Sequence, residues 1–222
     1  MTQTHAARRE WLIPTGLILL SFVPVVAGAA RVSELSAGPA VTAANERFVT
    51  APVPVVVHII SATIYCLLGA FQFVPGLRRR RIGWHRAAGR LLVPCGLAVA
   101  LSGMWMAAYY ARPPGDGVAL TVMRFIVGPA MVVFIVVGFL AVRRGDITRH
   151  RAFMMRGYAL GLGAGTQAFT HLPWIVFLGQ PSEGVRAVLM AAGWGINIVV
   201  AEWLIRRRVA EVFVPQLVRQ EL

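Results

Sequence analysis

Six runs of about twenty apolar residues, near positions 11–30, 53–74, 91–111, 119–142, 152–178 and 185–205, take up most of this 222-residue chain. Each matches the ~20 residues that an α-helix needs to cross the hydrocarbon core of a bilayer. Backbone N–H and C=O groups find no water there, so a run of this kind is restricted to a helix that bonds its own backbone. With 57% hydrophobic residues the chain also lacks the polar surface of an ordinary soluble domain. The expected fold is all-α: a polytopic membrane helical bundle of six transmembrane helices, with a four-helix core made by helices two to five, forming one transmembrane domain over residues 1–222.

Charge sets the orientation. The formal charge of +13 comes from 22 basic residues, all of them Arg, against 9 acidic ones. The arginines sit in short clusters between the apolar runs rather than on one amphipathic face, so they read as topology signals and not as a nucleic-acid interface. Arg8 and Arg9 precede helix one; Arg78, Arg79, Arg80, Arg81, Arg86 and Arg90 follow helix two; Arg143, Arg144, Arg149 and Arg151 follow helix four; Arg206, Arg207 and Arg208 follow helix six. The positive-inside rule makes these four segments cytoplasmic and puts both termini inside. The sparser segments around Glu34 and Glu46, Arg112 and Asp116, and Glu183 are then outside, residues 31–52 being the longest of them.

At the N-terminus, basic residues, an apolar run and Ala27-Gly28-Ala29 imitate a secretory signal with a small-residue cleavage site. The length of the run favours an uncleaved first helix. Cys66 and Cys95 fall within apolar runs, where small core residues are expected rather than a disulfide or a zinc site.

Two basic segments resemble each other: Arg80-Arg81-Ile82-Gly83-Trp84-His85-Arg86-Ala87 with Arg90, and Asp146-Ile147-Thr148-Arg149-His150-Arg151-Ala152 with Arg156. Each delivers His-Arg-Ala at a helix start, which suggests that helices two and three form a hairpin related to helices four and five. These segments, with His58 in an apolar helix, the run from Gly69 to Phe73, Gly89-Arg90 and Phe153-Met154-Met155-Arg156, make the chain resemble the domain-of-unknown-function 2306 family of bacterial multi-pass membrane proteins over about residues 55–175. That family's name supplies no activity. A looser resemblance is to the cytochrome b561 type of two-haem membrane protein, which carries histidines at both faces of a four-helix bundle. The chain departs from that pattern, because helix four has no histidine and helix five carries two.

Drawn on this topology, four histidines fall into two pairs: His58 with His171 on the outside, and His85 with His150 on the inside. From His150 to His171 is a rise of roughly 31 Å at about 1.5 Å per residue, close to the ~30 Å of the hydrocarbon core. One helix therefore offers a histidine at each face, the two side chains some 60° apart around the axis at about 100° per residue. Gly157, Gly161, Gly163 and Gly165 between them permit close approach of a neighbouring helix or of a flat macrocycle edge.

Paired neutral imidazoles are axial ligands for low-spin haem iron. Arg90 and Arg156 near the inner pair, and Arg124 near the outer, are placed for haem propionates or for anionic lipid headgroups. Arg124 has no acidic neighbour evident in sequence, whereas Glu202, one turn before Arg206, is accounted for by an i,i+4 ion pair.

The expected function is a membrane b-type cytochrome with one or two haem b, held by His58, His171, His85 and His150 and exchanging electrons with a quinol or a redox protein. The alternative is a cofactor-free membrane subunit or small-molecule permease with structural or protonatable histidines. Membrane lipid is an expected partner on either reading, nucleic acid is not, and a homo-oligomer or a larger membrane complex is open. No phosphate-cradling loop, nucleophile arrangement or paired carboxylates support hydrolase or kinase chemistry.

Overall fold

The computed structural model describes residues 2–220, with side chains from residue 10 to residue 207. The side chains of Arg8, Arg9 and Arg208, which the sequence assigns to the cytoplasmic face, lie outside those described. Among the described residues the chain is helical with no strand. In order come α1 (Thr2–Ser36), α2 (Glu46–Thr50), α3 (Pro52–Ala70), a 3-10 turn (Phe71–Phe73), α4 (Pro75–Arg80), α5 (Ile82–Tyr109), α6 (Val118–Arg143), α7 (Ile147–Gly161), α8 (Gly163–Leu178) and α9 (Glu183–Gln220).

Among the described residues, five helical stretches are long and apolar enough to cross a membrane: Glu10–Ser36, Pro52–Phe73, Ile82–Tyr109, Val118–Arg143 and Glu183–Arg207. The run expected at 152–178 is instead two helices, α7 and α8, that meet at Leu162. Gly161 and Gly163 flank that residue, and glycine contributes least to holding a helix in register. The amide of Gly165 bonds the Leu162 carbonyl at 3.0 Å, an i to i+3 closure that tightens the chain at the break. Leu162 itself keeps a helical bond to the Tyr158 carbonyl at 3.0 Å, so α7 and α8 follow one another as two helices with a one-residue interruption between His150 and His171. Two helices also start earlier than hydropathy alone places them, α5 at Ile82 and α7 at Ile147, because Arg86 and Arg90 in the one and Arg149 and Arg151 in the other interrupt the apolar character of their opening turns.

The core is a ring in which α3 packs on α5, α5 on α6, α6 on α7, and α7 returns to α3. Outside it, α1 lies against α3 and α8, and α9 against α7, α8 and α6. At the centre Tyr65, Met131, Ile135 and Tyr158 pack together. Tyr158 donates from its hydroxyl to the Cys66 carbonyl at 2.6 Å, and both cysteines are buried free thiols.

Glycines make this closeness possible. A Cβ on Gly69 would come 2.4 Å from the Tyr158 ring, one on Gly96 or Gly161 would strike Tyr65, and one on Gly163 would strike Trp194. Of the two readings of the glycines between His150 and His171, helix packing is the one that forms.

The connections fall at two ends. Glu10 of α1 accepts from the Gly76 amide at 2.9 Å and pairs with Arg79 at 3.2 Å, so the start of the first span lies beside the Arg-rich turn after α3. In the 31–52 segment, read as the longest outside connection, α1 runs on to Ser36, and Asn45 ties Thr42, Ala40 and Glu34 together ahead of α2.

A packing test follows from Gly165, where an added Cβ would lie 2.4 Å from the Leu20 backbone oxygen of α1. Backbone cannot rotate out of the way, so Gly165→Ala is expected to lower stability in detergent by about 1–3 kcal/mol through overpacking. Gly195→Ala, where a Cβ meets nothing within 4 Å, is expected to be neutral or to raise stability by up to about 1 kcal/mol. Thermal unfolding of both variants is the measurement.

Candidate functional site

The four histidines separate into two sets at opposite ends of the bundle. His58 comes seven residues into α3, which opens on Pro52 at its first position, and its ring lies across α5. Its Nδ1 is 3.1 Å from the Val99 carbonyl oxygen and 3.0 Å from Ser102 Oγ. The Ser102 hydroxyl is itself committed as a donor to the Ala98 carbonyl at 2.5 Å. Both atoms facing Nδ1 can only accept, so Nδ1 carries the proton and Nε2 is left as a lone pair. Gly103 lies beside the ring, where a Cβ would make ordinary contact at 3.4 Å from His58 Cε1.

His58 lines a cavity of about 360 Å³ among α3, α5, α6, α8 and α9, walled chiefly by apolar side chains including Val99, Met104, Met131 and Trp194. At its mouth sits a carboxylate that the sequence reading did not use. Asp116 is completely buried; its Oδ2 accepts from Arg124 of α6 and its Oδ1 from Arg186 of α9, each at 2.7 Å. The turn Pro113-Pro114-Gly115-Asp116 presents it: Gly115 has φ +84°, and the Asp116 amide bonds the Pro113 carbonyl at 3.1 Å. Pro followed by a positive-φ Gly at the centre of a four-residue turn is the type II pattern.

Arg124, read as lacking an acidic neighbour and offered to propionates, is therefore held by Asp116. The signal that locates this partner is the Pro-Pro-Gly-Asp turn just ahead of α6.

His171 belongs to the same end but to a different space. Its Nδ1 lies 2.8 Å from the Gln167 carbonyl, which again assigns the lone pair to Nε2, and that atom is buried with no hydrogen-bond partner. It lines a smaller cavity of about 210 Å³ with Val23, Pro24 and Arg186. Ala164 and Gln167 of α8 line both cavities, so α8 stands between the two histidines. The structure puts His58 and His171 at one end of the bundle without bringing them into one site.

At the basic end, His85 and His150 are each the fourth residue of a helix, in α5 and α7. These helices start at the same end and touch across the core. His150 Nδ1 is 2.9 Å from the Gly138 carbonyl of α6, leaving its Nε2 as a lone pair. His85 Nδ1 is buried and has no hydrogen-bond partner among the described residues. His150, Arg78, Arg86 and Arg151 are close enough for their charges to act on His85.

Arg90 is exposed. Arg156, expected near propionates or lipid, reaches across to α9 and grips Glu202 with both arms of its fork, Nε to Oε1 at 2.5 Å and Nη2 to Oε2 at 3.0 Å. Glu202 is thus paired with a cation 46 residues away rather than with Arg206 as an i,i+4 partner. Among the described residues no group of three or more His, Cys, Asp or Glu side chains gathers as a metal site would require.

Because the Asp116 carboxylate is fully buried while its arginines keep partial access to water, Asp116→Asn is expected to lower stability by about 1–3 kcal/mol. Unfolding in detergent beside Glu34→Gln, whose carboxylate keeps partial access to water and whose ion pair with Arg31 contributes about 0–1 kcal/mol, checks the difference.

The four histidines, Asp116, Arg186 and the Arg156–Glu202 pair all fall within residues 55–205, over which the chain matches the family model described as predicted membrane protein, DUF2306. No curated protein and no solved structure matches the chain. By that match, and in keeping with its apolar helices, the chain belongs to the DUF2306 family of predicted membrane proteins.

Proposed function

We propose that this membrane protein is a b-type haem carrier of electrons, with haem b held at the basic end between His85 and His150. One observation carries the reading: two related segments each present a histidine on the first turn of α5 and α7, at one end of the core, and each ring keeps a nitrogen uncommitted. A ligating imidazole typically donates its other ring N–H to a carbonyl, which fixes the tautomer and raises its basicity, and the His150–Gly138 contact has that form. Haem bound between two imidazoles supplies one-electron chemistry.

Arg86 and Arg151, exposed beside His85, offer cations to propionates, while Arg90 is suited to propionates or to anionic lipid headgroups. Arg124 and Arg156 have carboxylate partners of their own and are not assigned to haem. His58 and His171 line separate cavities and are left out of the iron site, which makes one haem per chain the expected loading. The Arg-rich end faces the cytoplasm of a bacterial inner membrane under the positive-inside rule, and electrons are exchanged with a partner at the opposite end.

A second reading, a cofactor-free subunit or permease, is favoured by the way α8 and α9 are stitched. Thr166 donates to Asn197 at 2.7 Å, Asn197 to the Ala159 carbonyl at 3.0 Å, and Gln167 to the Met190 carbonyl at 3.0 Å, so the polar residues of this region serve as interhelical glue.

Absorption spectra of the purified protein, oxidised and reduced, decide between them. The haem reading expects a sharp reduced α-band with about one haem b per chain, lost in His85→Ala and in His150→Ala and kept in His171→Ala. A protein that stays colourless when haem is supplied during expression overturns it and leaves the second reading.

A further inference from the structure

We propose that the cavity beside His58 binds a lipid-soluble aromatic hydroxyl compound of the hydroquinone class, with His58 Nε2 accepting its hydrogen bond. Most polar groups around this cavity are already committed. Asp116 is taken by Arg124 and Arg186, Gln167 donates to the Met190 carbonyl, and Tyr110 donates to the Ala51 carbonyl at 2.5 Å. Ser102, behind the ring, is committed to Ala98 and His58. The tautomer leaves His58 Nε2 as an acceptor with no bond to the chain, on a residue that lines this largely apolar space.

The tautomer selects the ligand. Because the Val99 carbonyl and Ser102 Oγ hold the proton on Nδ1, Nε2 pairs with an O–H donor and has nothing to offer a carbonyl or an ether oxygen. An acceptor facing either of those gains no hydrogen bond from it. The surroundings favour an aromatic hydroxyl over an aliphatic one. Arg47, Arg112 and Arg124 line the cavity against the single carboxylate of Asp116. Their excess positive charge stabilises the oxygen of an acidic hydroxyl as its proton leans toward His58. Trp194 and the Met104 and Met131 thioethers supply walls suited to a ring face and edge. The volume of about 360 Å³ is at the small end for ligand sites, which suits a single substituted ring.

As the site of an electron donor, the cavity rests on the haem reading; as a binding site it stands without it. The test titrates the full-length protein in detergent, with and without haem, by calorimetry, using trimethylhydroquinone, its dimethyl ether and the corresponding quinone. The hydroquinone is expected to bind at least about tenfold more tightly than the ether or the quinone, the penalty of leaving one buried acceptor unpaired. His58→Ala is expected to abolish that preference. Equal binding of hydroquinone and ether to the unaltered protein overturns the proposal, and this comparison holds even if His58→Ala fails to fold. Haem-free protein that still prefers the hydroquinone retains the inference while the haem reading fails. Haem whose spectrum is lost in His58→Ala, with no hydroquinone bound, makes His58 an iron ligand and overturns both the inference and the assignment of the haem to His85 and His150.

Discussion

Every backbone amide and carbonyl in the bilayer-spanning part of this chain has to be satisfied by the chain itself, because the hydrocarbon offers nothing in exchange. That requirement turns each apolar run into a helix, and the helices must then attract one another without a hydrophobic effect between them. Close contact does this work. Tyr65 and Tyr158 enter the spaces left by Gly69, Gly96 and Gly161, Trp194 enters at Gly163, and the Leu20 backbone lies on Gly165. What dispersion forces gain here depends on atoms meeting at contact distance, so the missing Cβ atoms matter more than the identity of the larger neighbours.

Against that background the polar groups are few, and they are placed with partners. Two carboxylates, Asp116 and Glu202, join distant helices through arginine, the first linking α6 with α9 and the second α7 with α9. The last span is therefore fastened to the core by ions at two points, and hydrogen bonds from Thr166, Gln167 and Asn197 hold the length between. The histidines stand apart from this pattern. His85 and His171 each keep a buried ring nitrogen without a hydrogen bond, while His58 and His150 each spend Nδ1 on a carbonyl and hold Nε2 in reserve.

Hydropathy alone reveals the apolar spans and their grouping into a core, because helix length and apolar composition are local properties of the chain. The arginine clusters likewise mark one end, and the paired His-Arg-Ala segments mark the helix starts that bear His85 and His150. Other features depend on distance through space. Glu202 has a plausible local partner in Arg206, and only packing shows that Arg156 wins it. Arg124 looks unpaired until the turn at Gly115 swings Asp116 back over the start of α6. The depths of His58 and His171 agree in sequence, yet depth fixes one coordinate of three, and α8 occupies the space between them.

The interruption at Leu162 divides one crossing into two rods of 15 and 16 residues. An unbroken helix carries torque, so that a twist imposed on one end turns the other through the same angle. Here Leu162 bonds the Tyr158 carbonyl and Thr166 the Leu162 carbonyl, so the ladder passes through the interruption and the two rods stay coupled along the backbone. The segment bearing His150 is anchored to α6 through Gly138 and to α9 through Arg156, and the segment bearing His171 is anchored to α9 through Thr170 and Gln167. Each rod is thus held twice, by its own neighbours and by the backbone ladder that ties it to the other rod.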